Sequence, residues 1–333
     1  MKKAFKFIGG LLTLVVILIL GLYFFSPGTL LNTASNITIK LGGFSKQSIE
    51  IDGEDYFYYD NENMDQPVLI FVHGFSDEKA SWFPFVNKFS KDYRVITPDL
   101  LGHGENRKDT TIAYTFIHQA EFLKSFIDAL SLGQPHLIGV SMGGAVVGKY
   151  ASIYPDDLQS VTMISSAGIN GNLEESELQL YMNQFQTLEE RKEHMPLLPK
   201  DLSDESLAQF KKYIFYVDLN APDKLMKHYM KRSVDNRDFY FNVLQDIVYT
   251  ENGEFIDALD DELDNIKVPV LVVWGIQDPL IDVSSVKVFE DSVRSPLTVA
   301  LVDDCGHATI AEQPDETRQP VIDFLDNLSK STL

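Results

Sequence analysis

HLIGVSMGG, residues His136 to Gly144, runs an apolar segment straight into a serine set among glycines. A strand covered on both faces is written as a short continuous apolar run, and HLIGV has that form. The residues that follow complete the spacing Gly139-Val140-Ser141-Met142-Gly143. A sharp strand-to-helix turn leaves no room for bulk on either side of its central residue, and glycine is the residue with no Cβ to collide. The stretch therefore predicts a buried strand, a tight elbow at Ser141 and a helix beginning at once. It also places the Ser141 hydroxyl at a helix N-terminus, where unpaired backbone N–H groups and the helix dipole favour negative charge.

Working outward, the same kind of apolar, β-branched run recurs at VLIFV (68–72), YRVIT (93–97), SVTMIS (160–165), VLVVWG (270–275) and LTVALV (297–302). Amphipathic stretches separate most of them, the clearest carrying Phe116, Ala120, Leu123, Ile127 and Leu130 on one stripe. Ahead of them, SIEI and DYFYYD read as an antiparallel pair. The fold class that follows is α/β, a mostly parallel sheet wound with helices. One interval breaks the rhythm. Between SVTMIS and VLVVWG lies far more chain than the dozen or so residues a simple crossover needs. Within it, SDESLAQFKKYIF opens with an N-cap at Ser203 and acids at Asp204 and Glu205, then spaces Leu207, Phe210 and Ile214 helically. APDKLMKHYMKRS repeats the style with Leu225, Met226, Tyr229 and Met230. These helices are expected to form a cap inserted after the sixth strand. The expected division is a core of residues 48–169 and 246–330 with a cap at 170–245.

A serine hydroxyl is barely ionised at neutral pH and needs a base, and the base needs a group to orient it. Two later loops, each just past a strand, supply candidates: Asp278 in WGIQDPL and His307 in DDCGHAT. Loops at the carboxyl ends of parallel strands converge on one edge, so Ser141, Asp278 and His307 can meet there despite their separation in sequence. Asp278 precedes Pro279 and also suits a simple turn; Asp282 reads as the N-cap of the next helix. Asp303 and Asp304 read as solvent-facing or turn-forming. His103 is expected to shape a loop, and His118, His136, His194 and His228 to be structural or exposed. VHGF (72–75) follows the third strand, where a sheet of this kind places one oxyanion donor. The backbone N–H groups of Phe75 and Met142 are the two expected donors, with His73 supporting the turn.

Composition bounds the chemistry. Of 333 residues, 44% are hydrophobic and 23% charged, as in an ordinary globular chain, and the formal charge is −21. Such a surface repels polyphosphate, so nucleic acid is not an expected partner and a neutral substrate is favoured. The single cysteine, Cys305, excludes an intrachain disulfide and any multi-cysteine zinc site. The sequence holds no HExxH, no EF-hand loop and no phosphate loop ending in Lys-Ser/Thr, and neither metal nor cofactor is expected.

Phe7 to Phe25 is free of charged residues and is dominated by Leu, Ile, Val and Phe, enough to span a bilayer as a helix. A cleaved signal peptide has a shorter apolar run, about 7 to 15 residues, and a small-residue cleavage site that Phe24-Phe25-Ser26-Pro27 does not provide. Residues 1–25 are therefore expected to be an uncleaved membrane anchor. Lys2, Lys3 and Lys6 before the span orient the N-terminus to the cytoplasm and the main domain to the extracytoplasmic side, the periplasm in a Gram-negative cell. Residues 26–47, with Leu30, Leu31, Ala34, Ile37 and Leu41 near helical spacing, are expected to be a linker or interfacial helix.

The elbow, the HGF turn, DLLGHG (99–104), GIQDPLI and GHATIAEQP together resemble the α/β-hydrolase superfamily over Ser48 to about Leu328. VHGFSDEKASW with LIGVSMGGAVVGKYASIYPDDL is similar, more narrowly, to the membrane-anchored monoacylglycerol lipases and related bacterial lipases. The chain departs from many relatives at GHGEN, where they carry a serine after the second glycine. The resemblance implies that Ser141, Asp278 and His307 form a catalytic triad and that the cap shapes an acyl-chain pocket. The activity expected is hydrolysis of carboxylic esters, such as those of monoacylglycerols, through an acyl-enzyme. Two other readings use the same scaffold: a hydrolase of carbon-carbon bonds in diketones, and a non-catalytic binding protein.

Overall fold

Period-two alternation at the start of the domain gives β1 (Ser45–Ile51), half-buried and exposed by turns, which pairs antiparallel with β2 (Glu54–Asp60). The computed structural model describes residues 27–83, 85–171, 176–219, 221–248 and 254–331. After the hairpin the strands become mainly apolar: β3 (Val68–Val72), β4 (Arg94–Pro98), β5 (His136–Val140), β6 (Ser160–Ile164), β7 (Val270–Gly275) and β8 (Leu297–Val302), the last of them at the sheet edge and so partly exposed where cover on both faces was expected. They form one sheet in the order β1-β2-β4-β3-β5-β6-β7-β8. β2 meets β4 antiparallel, and every later neighbour is parallel. Every residue of β5, β6 and β7 is buried, which is what a continuous apolar run requires of its surroundings. β1 begins three residues before the expected Ser48 because Ser45 to Gln47 continue the same ladder.

Two layers of core lie against the two faces. On one, α2 (Phe116–Ala129) and α3 (Met142–Ile153) pack Phe116, Leu123, Val146 and Tyr150 against Ile70, Leu137 and Val161. α2 starts where Thr115 accepts a hydrogen bond from the His118 N–H, closing one of the open donors of the first turn. α3 is buried on nearly every side and is correspondingly apolar all round. The other face carries Phe71, Trp82, Phe85, Val273 and the C-terminal helix α11 (Pro314–Ser331) through Val321 and Leu325.

Among the described residues, five α-helices occupy the long interval between β6 and β7: α4 (Glu177–Met182), α5 (Leu188–His194), α6 (Asp204–Ile214), α7 (Asp223–Asp235) and α8 (Arg237–Ile247). α4 and α5 each open with a capping box, Ser176 with Gln179 and Thr187 with Glu190, and Ser203 caps α6 as the sequence predicts. Leu207, Met226 and Met230 make a small separate core between α6 and α7. Tyr229, expected on that apolar face, instead lies mostly exposed. α8 runs past the expected boundary at 245. Its Tyr240, Phe241, Leu244 and Ile247 join the main core, so its apolar face belongs to the sheet side of the molecule.

The expected linker forms α1 (Pro27–Leu41), which packs on α7, close enough that a Cβ on Gly28 would meet the His228 ring. Ile39 and, just beyond the helix, Phe44 enter the core against β3, whereas Ile37 and Leu41 face outward. Among the described residues no helix is long and apolar enough to cross a membrane. The apolar segment Phe7 to Phe25 lies outside the described residues.

Candidate active site

At the carboxyl end of β5 the chain turns within one residue. Ser141 has φ 54° and ψ −121°, in a region that costs a residue with a Cβ on the order of 1–3 kcal/mol. The surroundings over-determine it. The Ser141 N–H donates to Ile164 O at 2.9 Å, and its carbonyl accepts from Gly144, Ala145 and Ala167. Burial of Leu137 and Ile138 just before it contributes about 1.5–3 kcal/mol each, enough to offset the strain. The flanking glycines are needed for close approach: a Cβ on Gly139 would lie 2.1 Å from Gly143 O, and one on Gly143 would lie 2.2 Å from Val72 O.

The loop after β7 brings Asp278 to the same edge, and the loop after β8 brings His307. His307 Nε2 is 2.9 Å from Ser141 Oγ, and His307 Nδ1 is 2.8 Å from Asp278 Oδ2. With Nδ1–H donating to the carboxylate, Nε2 keeps the lone pair that accepts the serine proton. Asp278 also serves as the turn residue its position before Pro279 suggests, because Oδ1 accepts the N–H groups of Leu280 and Ile281. One carboxylate therefore fixes its own loop with one oxygen and the imidazole with the other. Asp282 makes the capping contact expected of it, Oδ1 accepting the Ser284 N–H and its carbonyl the Ser285 N–H, in the turn that leads into α9 (Ser285–Ser292), while Ser284, the residue before the helix, makes no side-chain cap. Asp303 and Asp304 are exposed, away from the relay.

VHGF lies against the elbow. A Cβ on Gly74 would sit 3.3 Å from Ser141 Cβ, so the turn passes directly beside the serine. The N–H groups of Phe75 and Met142 have no acceptor among the described residues, and both residues line the cavity in front of Ser141. His73 supports the turn as expected: Nδ1 donates to Gly74 O and Nε2 accepts from the Leu100 N–H. Burial holds its imidazole below the usual histidine range, which keeps it neutral in that role. DLLGHG has a structural part as well. Asp99 accepts from the N–H and Nζ of Lys79 and from the Glu105 N–H, and a Cβ on Gly104 would overlap its carboxylate. Asn106, one residue past the departure at Glu105, donates to the Asp99 and Leu100 carbonyls and accepts the Phe57 N–H, tying this loop to β2.

The cavity above Ser141 measures about 170 Å³ and its wall is mainly apolar. Phe116 and Ala167 line it from the core, Leu178 and Met182 from α4, and Leu244 from α8. No sequence signal singled out these wall residues, since a cavity arises where helices fail to touch. A second group went unread for the same reason. Arg232 of α7 lies 3.0 Å from Asp77 and 2.5 Å from Glu78, and Ser233 Oγ is 2.6 Å from Ser76 Oγ, so the cap pins the turn that follows Phe75. The acids beside HGF were visible, but their partner in a distant helix was not.

Cys305, two residues from His307, is buried, and desolvation pushes its thiol up to about 12. It is therefore a thiol at neutral pH, and inert.

Residues 67–314 match the sequence pattern of the alpha/beta hydrolase fold family. Human monoacylglycerol lipase ABHD6 is 29% identical over 268 residues, covering 78% of this chain and 75% of the relative. Lipase 1 of Psychrobacter immobilis is 29% identical over 271 residues, 80% of this chain and 78% of that one. Among solved structures, one described as a membrane phospholipase A and bacterial virulence factor superposes with a TM-score of 0.81 at 28% identity, covering 99% of both chains.

Proposed function

The chain belongs to the α/β-hydrolase fold family, and from that premise we propose that it hydrolyses carboxylic esters of neutral lipids, monoacylglycerols among them, through an acyl-enzyme. Ser141 is the nucleophile. Its Oγ attacks the ester carbonyl as His307 Nε2 takes the proton, and Asp278 holds the imidazole in the required tautomer and stabilises the imidazolium that forms. The tetrahedral oxyanion receives the N–H groups of Phe75 and Met142, each donor contributing on the order of 2.7–4 kcal/mol in the transition state. His307 returns its proton to the leaving alcohol. Water then enters, loses a proton to the same nitrogen and releases the acid, restoring Ser141.

The observation that carries this reading is the uninterrupted relay of two hydrogen bonds beneath an apolar cavity. The lipases among the relatives support a lipid ester as substrate. The mainly apolar cavity wall supports an acyl chain, and the strongly acidic composition favours a neutral one. Residues 1–25 anchor the enzyme to a membrane, the helices between β6 and β7 act as its cap, and the lysines before the anchor place the catalytic domain on the extracytoplasmic side.

The test is an assay of the full chain in detergent against p-nitrophenyl esters from two to sixteen carbons, monoacylglycerols and a vinylogous diketone, alongside fluorophosphonate labelling. Wild type is expected to label and to turn over esters; Ser141→Ala should not label and should lose at least about 10⁴-fold in kcat. Turnover of the diketone alone would transfer the triad to carbon-carbon bond hydrolysis, and absence of labelling would leave a binding protein.

A further inference from the structure

The motif GHATIAEQP carries His307, and five residues later Glu312, a buried carboxylate at the end of the single-turn helix α10 (Thr309–Glu312). The relay makes no use of it. Its hydrogen bonds run in two directions. Both oxygens lie 3.1 Å from the N–H of Gly306, the residue before His307. Oε2 also accepts the N–H groups of Tyr216 at 2.7 Å and Val217 at 3.0 Å, in the cap segment that follows α6. The cap answers from its own side: Ile214 O accepts the N–H groups of His307 at 3.1 Å and Ala308 at 3.2 Å. Three consecutive N–H groups around the imidazole thus end on Glu312 or on the cap, and none of them ends on the sheet.

The contact is close as well as polar. A Cβ on Gly306 would lie 2.6 Å from Tyr216 N and 2.9 Å from Glu312 Oε1, so glycine there is what lets the cap backbone approach the histidine loop. No basic side chain forms an ion pair with Glu312 among the described residues. A buried carboxylate without a cation is costly unless backbone donors satisfy it, and here three do.

We infer that Glu312 is a positioning residue which ties the cap segment 214–217 to the loop bearing His307, so that seating of the cap sets the reach of the imidazole to Ser141. The inference rests on the function proposed above. Its physical basis is that His307 takes its backbone register from Ile214, and Ile214 is held near the loop by the bonds of the next residues to Glu312. A hydrolytic base misplaced by about 1 Å can lose on the order of 100-fold in rate without loss of substrate binding. The cap would then complete the catalytic geometry in addition to walling the acyl pocket, and the portion near Ile214 would stay fixed while substrate enters elsewhere.

The experiment compares wild type with Glu312→Gln, both full-length in detergent. Glutamine keeps the size but sets an NH₂ group against the Gly306 N–H that Oε1 accepted, and it removes the charge toward which three N–H groups point. With active sites counted by fluorophosphonate titration, kcat per site on p-nitrophenyl butyrate is expected to fall about 10- to 100-fold, with KM within about twofold. The downfield proton resonance of the His307–Asp278 hydrogen bond, assigned by its loss in His307→Gln, is expected to shift or broaden. Unchanged kcat per site with an unchanged resonance would overturn the inference and leave Glu312 a stability residue. Should Glu312→Gln not fold, Glu312→Asp, which keeps the charge but is one methylene short of bridging both partners, is judged by the same two readings. Should wild type turn over no ester, the proposed function fails, and the resonance still decides the positioning role.

Discussion

The sheet and the cap are built by different rules. In the sheet, three consecutive strands are buried at every residue, and glycines around the elbow allow backbone contacts that no side chain would permit. In the cap, α6 and α7 share a small core of Leu207, Met226 and Met230 with Phe210 packed against it, and the ion pairs Lys227–Asp204 and Lys211–Asp223 join their surfaces. Exposed pairs of this kind contribute about 0–1 kcal/mol, whereas each fully buried large side chain contributes about 1.5–3 kcal/mol. Chemistry that needs atoms held to a fraction of an ångström is therefore placed on the sheet edge. The α6–α7 part of the cap is assembled from weaker, more replaceable contacts. The clamp at Glu312 is where the two meet.

The largest effect should come from the sheet side. Asp278→Asn removes the charge that orients His307 while keeping its shape, and kcat is expected to fall about 10⁴-fold with little change in melting temperature. A loss of tenfold or less in steady-state kinetics would break the assignment of the relay to the rigid edge.

Acid should strike the same region next. His136 at the start of β5 is buried beside Ser160, and burial pushes it down to about 4. Its folded value lies below its unfolded one, so the unfolded chain binds the extra proton first. Stability is then full above about pH 6.5 and falls as the pH drops toward 4, by about 3 kcal/mol from this group. Denaturant melts at several pH values should show this loss, and His136→Phe should reduce it by this share, the buried His73 and His103 still contributing in the same direction. A curve that is flat for wild type between those limits would remove the claim.

The cap predicts the smallest change. Leu178→Trp narrows the acyl cavity from α4, and the ratio of kcat/KM for a sixteen-carbon ester to that for a four-carbon ester should fall about 10- to 100-fold, with the short ester little affected. An equal loss on both esters would mean that the cap acts on the relay and not on chain length, which would sharpen the case for coupling at Glu312.

Legibility follows the same division. The buried strands were readable because burial on both faces demands an unbroken apolar run. Ser141, Asp278 and His307 were readable because each sits just past such a run. The cap was readable as helices, through Ser203 and the spacing after it, but its limit at 245 was not, since only packing revealed that Leu244 and Ile247 belong to the main core. Asp282 was readable as a helix start because its bond to the Ser284 N–H is local, although α9 proper begins at Ser285. Arg232 and Glu312 carried no local signal, their partners lying in other segments.

By itself the sequence determined the order of strands and helices, the elbow and the identity of three side chains, because local backbone geometry and burial leave a periodic mark on neighbouring residues. Tertiary structure alone decided that those three side chains hydrogen-bond, which walls enclose the cavity, and that the cap grips the histidine loop through one carboxylate. Contacts between segments far apart in the chain depend on distances that no pattern of near neighbours encodes.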